Sequence, residues 1–183
     1  MSLKNSYERY GSLSIAMHWL MLLLLVAVYA CIELREFYPK GSDPRNALKA
    51  WHFTLGLTVF FLVWLRVLMK IVQISPSIDP QPANWQMILA KIVHLVLYVF
   101  MVSMPILGWL ILSGEGKDIP FYGISMPPLM GENKDLAKTI EELHEIGGTL
   151  GYFLVGLHAI AALFHHYIVK DNTLSRMLPS RHR

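Results

Sequence analysis

Cysteine and charge are both scarce in this chain of 183 residues. Its single cysteine, Cys31, excludes an intrachain disulfide, a cysteine-ligated iron–sulfur cluster and haem attachment through a C-x-x-C-H motif. Charged residues make up 16% of the sequence and hydrophobic residues 54%, whereas a typical soluble domain has about 25% charged residues. The net charge of +3 comes from scattered basic residues rather than a basic stripe, so nucleic acid is not favoured as a partner. This composition predicts a protein in contact with a lipid bilayer.

Four apolar segments are long enough to cross the hydrocarbon core of a bilayer, which is about 30 Å thick. They cover residues 13–32, 50–72, 87–112 and 146–169. The sequence therefore predicts an all-α membrane protein, with one domain over residues 1–183 folded as a bundle of four transmembrane helices. Leu136, Ile140 and Leu143 recur at helical spacing, so the fourth helix is expected to begin before the lipid. The first segment could instead be a signal peptide, but it is long for one and its removal would discard His18.

The distribution of basic residues predicts the orientation of the helices. An even number of spans leaves both termini on one side, together with the connection between the second and third helices. Nine of the sixteen Lys and Arg residues fall on that side: Lys4, Arg9, Arg66, Lys70, Lys91, Lys170, Arg176, Arg181 and Arg183. The positive-inside rule therefore predicts that both termini lie in the cytoplasm.

Four histidines can be matched in pairs by their expected depth in the membrane. His18 and His158 lie toward the predicted cytoplasmic ends of their helices, and His52 and His144 lie toward the outer ends. The spacing from His144 to His158 corresponds to a rise of about 21 Å and places both on nearly one helix face, too far apart for one zinc ion. Imidazoles on facing helices suit the axial positions of b-type haem, so the pattern favours two haems. Each histidine alone could instead be a hydrogen-bonded structural residue or a proton relay.

Glycines accompany these histidines. Gly147, Gly148 and Gly151 lie on or beside the face of the fourth helix between its two histidines, and Gly56 is four residues after His52. A flat macrocycle requires a helix surface without side chains. The alternative is that these glycines permit close contact between helices, which is common in membranes.

Further ionisable residues lie at the predicted cytoplasmic level of the helices. The charge of Arg66 could pair with a haem propionate or a quinone carbonyl, or the side chain could extend to the interface. His94 is a candidate for propionate binding or for supporting an axial ligand. His165 and His166 are candidates for a quinone site and for proton donation, and the alternative is that they are ordinary interfacial residues.

Motifs spread over nearly the whole chain carry a resemblance to a known family. They are SIAMHWL at Ser14–Leu20, YACIELREFYP at Tyr29–Pro39, Trp51–His52, LGYFLVGLH at Leu150–His158 and AALFHHYIVKDNTLSRMLP at Ala161–Pro179. With these motifs the chain resembles the bacterial di-haem cytochrome b561 proteins, and within them the branch that oxidises superoxide and reduces ubiquinone. The resemblance implies two haem b groups in a bacterial inner membrane. It also implies axial ligation by His18 with His158 on the cytoplasmic side and by His52 with His144 on the outer side.

The function expected from this resemblance is that of a superoxide:quinone oxidoreductase. Superoxide would give its electron at the outer haem, and ubiquinone would be reduced near the inner one. Arg35, Arg45, Lys49 and Lys117 are available to attract the anion. The first alternative is a cytochrome b membrane anchor that relays electrons between a periplasmic redox partner, docked on residues 113–145, and the quinone pool. The second alternative is a haem-free transporter or channel.

Overall fold

Four long helices make up most of the computed structural model, which describes residues 2–179. Helix α1 covers Ser12–Leu34, α2 covers Asp43–Val72, α3 covers Asn84–Gly114 and α4 covers Lys134–Phe164. Within residues 2–179 all four are long and apolar enough to cross a membrane, which confirms the predicted all-α membrane fold. Large apolar side chains on these helices, such as those of Leu23 and Phe153, are exposed, as expected of surfaces that face lipid rather than water.

Helices α2, α3 and α4 begin before the apolar segments that predicted them. Helix α2 starts at Asp43, whose carboxylate favours the first turn of a helix. At the start of α3 the Gln86 side chain accepts a hydrogen bond from the backbone N–H of Ala83, at 3.0 Å. At the start of α4 the Asn133 side chain accepts one from the N–H of Leu136, also at 3.0 Å. Hydropathy predicts the part of a helix that lipid covers, whereas polar caps determine where the helix begins.

A short antiparallel hairpin lies between α3 and α4, and the sequence did not predict it. Strand β1 is Pro120–Phe121 and strand β2 is Ile124–Ser125. Tyr122 and Gly123 between them have φ angles of 47° and 87°, the two positive values that a type I′ turn requires. The Tyr122 hydroxyl lies 3.0 Å from the hydroxyl of Thr58 on α2, and this tertiary contact stabilises a turn that tyrosine alone does not favour.

Helix α4 ends in a single π-helical turn, His165–Val169. Lys170 follows with φ of 61°, in the left-handed region, and its N–H donates to the carbonyl of His165. This residue reverses the direction of the chain. π-Helical turns are rare in proteins, and those that do occur are often found at functional sites.

The helices contribute to two compact units. The first unit consists of Met1–Leu20, Trp64–Val99 and Gly151–Arg183, and the second of Met21–Val63 and Phe100–Leu150. Residue 1 and residues 180–183 lie outside the described part of the chain. Two of the basic residues that were predicted to be cytoplasmic, Arg181 and Arg183, are among them.

Hydrogen bonds join three segments of the first unit, residues 2–11, 73–83 and 170–179, which we call the polar cap. The side chain of Asn5 donates to the carbonyl of Ile74 at 2.8 Å. The backbone N–H of Asn172 donates to the Asp79 carbonyl, and the Asp79 N–H donates to the side chain of Asn172, each at 3.0 Å. The polar cap therefore holds the chain that follows α4 against the connection between α2 and α3.

Gly11→Ala is expected to destabilise the protein, because Gly11 lies against the backbone of the polar cap. A Cβ at this position would lie 2.6 Å from the carbonyl carbon of Lys4 and in contact with the carbonyl oxygen of Leu3. Overpacking of this kind costs about 1–3 kcal/mol, which lowers the melting temperature of a chain of this size by roughly 2–12 °C. Thermal unfolding in detergent measures the change. Gly131→Ala is the control, since nothing lies within 4 Å of its Cβ position, and equal melting temperatures of the two variants would contradict the prediction.

Candidate functional site

The structure brings both predicted histidine pairs together. The ring centroids of His18 and His158, in the first unit, are 6.2 Å apart, and those of His52 and His144, in the second unit, are also 6.2 Å apart. A histidine nitrogen binds a metal ion at about 2.0 Å and lies about 1.1 Å from the centroid of its ring. Each ring centroid is then about 3.1 Å from the metal ion, so two histidines on opposite sides of it have ring centroids about 6.2 Å apart. Both pairs therefore have the spacing of two imidazoles on opposite sides of one metal ion.

The hydrogen bond of His52 leaves the ring in the form of a metal ligand. Its Nδ1 lies 3.0 Å from the backbone carbonyl of Val28. A carbonyl can only accept, so Nδ1 carries the proton and Nε2 keeps a free lone pair. Nδ1 of His144 is buried and lacks a well-formed hydrogen bond within the described residues, although the Met104 backbone lies near the ring. The donor chemistry of this pair fits an axial haem ligand set.

Two of the glycines that accompany the histidines have open space beside them in the second unit. Nothing lies within 4 Å of the position that a Cβ would take at Gly56 or at Gly148. The hydroxyl of Tyr29 donates to the carbonyl of Gly148 at 2.7 Å and connects α1 to α4. Gly147 differs, because its Cβ would lie 2.6 Å from the Met104 sulfur and this glycine therefore permits close packing of α3 and α4. The macrocycle interpretation is favoured for Gly56 and Gly148, and the helix-contact interpretation for Gly147.

Arg66 is half-buried and points at His18 rather than at the interface. Its Nη2 lies 2.8 Å from Nδ1 of His18, and its Nε donates to the hydroxyl of Tyr98 at 3.3 Å. Arginine can only donate, so Nδ1 of His18 is the acceptor and Nε2 carries the proton in this arrangement. Metal binding through Nε2 requires the proton to move to Nδ1 and Arg66 to turn to another acceptor. A carboxylate such as a haem propionate is an acceptor that arginine binds strongly.

His94 lies beside His158 and not at the distance of a second ligand. Their ring centroids are 5.3 Å apart, whereas those of the His18–His158 pair are 6.2 Å apart. His94 therefore packs against an axial-ligand candidate, and its role as a supporting or propionate-binding residue stays a prediction.

A second cation accompanies Arg66, and the sequence analysis missed its role. The ammonium group of Lys70 lies 5.0 Å from the centroid of the Tyr98 ring, to which Arg66 is also bonded. From the sequence, Lys70 is only one of the nine basic residues on the predicted cytoplasmic side. The available signal was spacing, since residues four apart on α2 share a helix face. Together the two cations are suited to binding carboxylates.

The structure distinguishes the neighbouring His165 and His166, which the sequence left equivalent. Nδ1 of His165 lies 2.5 Å from Oδ2 of Asp171, whose carboxylate is fully buried, while 18% of the His165 side chain is exposed. His166 packs against the ring of Tyr167 and makes no hydrogen bond through its side chain within residues 2–179. Burial raises the pKa of the Asp171 carboxyl, but hydrogen bonds from His165 and from the Thr173 backbone outweigh burial and hold this pKa below its usual value. Asp171 was not among the site residues predicted from the sequence.

Arg45 is not available to attract an anion, which corrects one expectation from the sequence. This side chain is buried, donates to two backbone carbonyls through Nη1, and donates to both carboxylate oxygens of Glu36 through Nη2. Lys117 is paired with Glu115 at 3.0 Å. Arg35 also contacts Glu36 but stays partly exposed, and it lies near enough to His52 for its charge to act on the ring.

Comparison with known proteins covers nearly the whole chain. The family model for prokaryotic cytochrome b561 matches residues 9–180. Cytochrome b561 homolog 1 of Escherichia coli strain K12 is 39% identical over 174 residues, which are 95% of this chain and 99% of the relative. The probable superoxide oxidase CybB of Yersinia pestis is 38% identical over 175 residues, 96% of this chain and 98% of the relative. Cytochrome b561 homolog 2 of Escherichia coli strain K12 is 29% identical over 182 residues, 97% of this chain and 95% of the relative.

The family match agrees with the helices and with the histidine pairs. The family is one of four-helix bundles that bind b-type haem and transfer electrons across the membrane, so a haem-free transporter or channel is no longer supported. Four spanning helices in a prokaryotic membrane cytochrome indicate the bacterial inner membrane. The chain belongs to the prokaryotic cytochrome b561 family.

Proposed function

We propose that the chain holds two b-type haems and passes electrons from superoxide to ubiquinone. The observation that carries this proposal is the equal separation of 6.2 Å within two histidine pairs, one in each unit. His18 and His158 would hold one haem, and His52 and His144 the other. Bound b-type haem supplies one-electron transfer. In the balanced reaction, two superoxide anions, one ubiquinone and two protons give two O₂ and one ubiquinol.

To oxidise superoxide, the protein mainly has to attract an anion. Superoxide loses an electron without a proton transfer, so cations near the His52–His144 pair are the useful residues. The Arg35 side chain stays partly exposed in the second unit, which also holds His52, and Lys49 forms no ion pair within the described residues. The 38% identity with a protein named probable superoxide oxidase supports this choice of donor.

The reduction of ubiquinone requires protons and a polar binding site on the cytoplasmic side. We assign the proton donor to His165, which carries a buried carboxylate partner, and leave His166 as a neighbouring contact for the quinone. Arg66, with Lys70, would bind haem propionates or the quinone carbonyl, and His94 would support His158. With both termini in the cytoplasm, as the positive-inside rule predicts, these residues would lie beside the source of protons.

Superoxide mixed anaerobically with the purified, haem-loaded protein is expected to reduce the haems promptly. Potassium superoxide is the source, and stopped-flow absorbance follows the haem bands. Addition of ubiquinone afterwards should return the bands to the oxidised form. Superoxide dismutase added beforehand is the control and should abolish the reduction. Haems that dithionite reduces but superoxide leaves oxidised would contradict the proposal.

A membrane anchor for another redox protein is the second candidate function. The observation in its favour is the hairpin between α3 and α4, where Tyr122 and Ile124 are 59% and 62% exposed. Exposed apolar side chains of this kind often contact a partner or the membrane surface. With this function the haems would be reduced only by a periplasmic electron carrier, and superoxide alone would leave them oxidised.

A further inference from the structure

We propose that Asp171 is a positioning residue that holds His165 as the proton donor to the quinone. The inference rests on the proposed reduction of ubiquinone and assigns to the pair a chemical step within it. It concerns two residues in the stretch that leaves α4, outside both histidine pairs.

The backbone at the end of α4 brings the two side chains together. The π-helical turn begins at His165, and the left-handed Lys170 reverses the chain so that Asp171 returns to His165. Oδ2 of Asp171 then lies 2.5 Å from Nδ1 of His165. Oδ1 accepts the backbone N–H of Thr173 at 2.8 Å, so both carboxylate oxygens are engaged and the carboxylate has a fixed orientation.

This contact determines which nitrogen of His165 can exchange a proton. The carboxylate fixes the proton of Nδ1, and Nε2 has no hydrogen-bond partner within residues 2–179. The lowered pKa of Asp171 keeps the carboxylate ionised at neutral pH. The ionised carboxylate therefore holds the proton of Nδ1, and Nε2 is the nitrogen of His165 that is left to exchange a proton. The partly exposed ring can then meet both the quinone and water, whereas the carboxylate stays buried.

The proton transfer balances within the proposed reaction. The quinone gains two electrons from two superoxide anions. For each proton, the N–H bond at Nε2 of His165 breaks and an O–H bond forms at a quinone oxygen. The neutral imidazole then regains a proton from cytoplasmic water, and a second transfer completes the quinol.

The polar cap supplies a matched control for Asp171. Asp79 lies in the same cap and is joined to Asn172 through its backbone N–H and carbonyl. Its carboxylate is not engaged by any hydrogen bond or ion pair within the described residues, and the residue is exposed. Asp79→Asn therefore removes one negative charge from the cap and leaves the His165–Asp171 contact intact.

The experiment is anaerobic oxidation of the reduced, haem-loaded protein by a short-chain ubiquinone. Stopped-flow absorbance records haem oxidation over a range of quinone concentrations for wild type, Asp171→Asn, Asp171→Glu and Asp79→Asn. Asp171→Asn should lower the maximal rate at least tenfold, since general acid catalysis contributes about 10²–10⁴-fold. The half-saturating quinone concentration should change little, and the solvent deuterium isotope effect should increase. Asp171→Glu should restore most of the rate, and Asp79→Asn should match wild type.

Other results would contradict either the role of Asp171 or the proposed function. A wild-type rate in Asp171→Asn with both haems bound would overturn the inference, and so would equal slowing in Asp79→Asn. A wild-type protein that quinone does not oxidise would instead overturn the proposed function itself. If Asp171→Asn loses haem, His165→Gln keeps the buried carboxylate and its bond to the Thr173 backbone. This variant should show the same slowing, and a wild-type rate in it would overturn the inference.

Discussion

His52→Ala is expected to bind one haem per chain, half the number proposed for the wild-type protein. The ring centroids of His52 and His144 are 6.2 Å apart. In this variant His144 would remain, but the second imidazole of the pair would be lost. The carbonyl of Val28 would also lose its hydrogen-bond donor in the second unit. The pair at His18 and His158 belongs to the first unit and keeps its residues. Haem content per protein, measured by pyridine haemochrome, should fall by half, and the remaining haem should keep a low-spin bis-histidine spectrum.

His18→Ala is the reciprocal variant and should remove the other haem. The two single-haem proteins should have different reduced-minus-oxidised spectra, which together reproduce the wild-type spectrum. His166→Ala is the control, because His166 belongs to neither pair and should leave two haems in place. Two haems in His52→Ala, or a loss of both haems in each single variant, would contradict the assignment of the pairs.

The histidine pairs could be predicted from the sequence because helix geometry is regular. A rise of about 1.5 Å per residue fixes the depth of every residue within an apolar span. His18 and His158 share one depth, and His52 and His144 share another, before any tertiary contact is known. The same regularity predicted the cytoplasmic level of His94, whose ring lies beside that of His158. Spacing along a helix does not fix side-chain bonds, and for this reason the contact between Arg66 and His18 could not be predicted.

The connections could be predicted less well, because tertiary contacts determine their structure. The hairpin at residues 120–125 carries tyrosine at a turn position that favours asparagine, aspartate or glycine, and the contact of Tyr122 with Thr58 compensates. Arg45 has the sequence context of a solvated surface residue, yet it is buried by the carbonyls around it. Asp171 returns to His165 only because Lys170 takes a left-handed conformation, for which lysine gives no signal in the sequence.

Arg66→Met is expected to lower the midpoint potential of the haem that we propose His18 and His158 hold. Removing a positive charge near the iron makes the added electron less stable there. Two unit charges about 8 Å apart interact by about 2 kcal/mol at an effective dielectric constant of about 20, and this energy corresponds to roughly 90 mV for one electron. Methionine keeps the apolar length of the side chain, so the loss of packing is small. A spectroscopic redox titration of both haems measures the shift.

Arg66→Lys separates the effect of charge from the effect of hydrogen-bond geometry. Lysine retains the positive charge but cannot bond to His18 and Tyr98 together as the guanidinium does, at 2.8 and 3.3 Å. This variant should keep most of the potential of the affected haem. The haem at His52 and His144 is the internal reference, and its potential should stay close to the wild-type value in both variants. Equal shifts of the two midpoint potentials in Arg66→Met would mean that the charge acts on the whole protein. If neither potential changes, Arg66 does not interact with the haem assigned to His18 and His158.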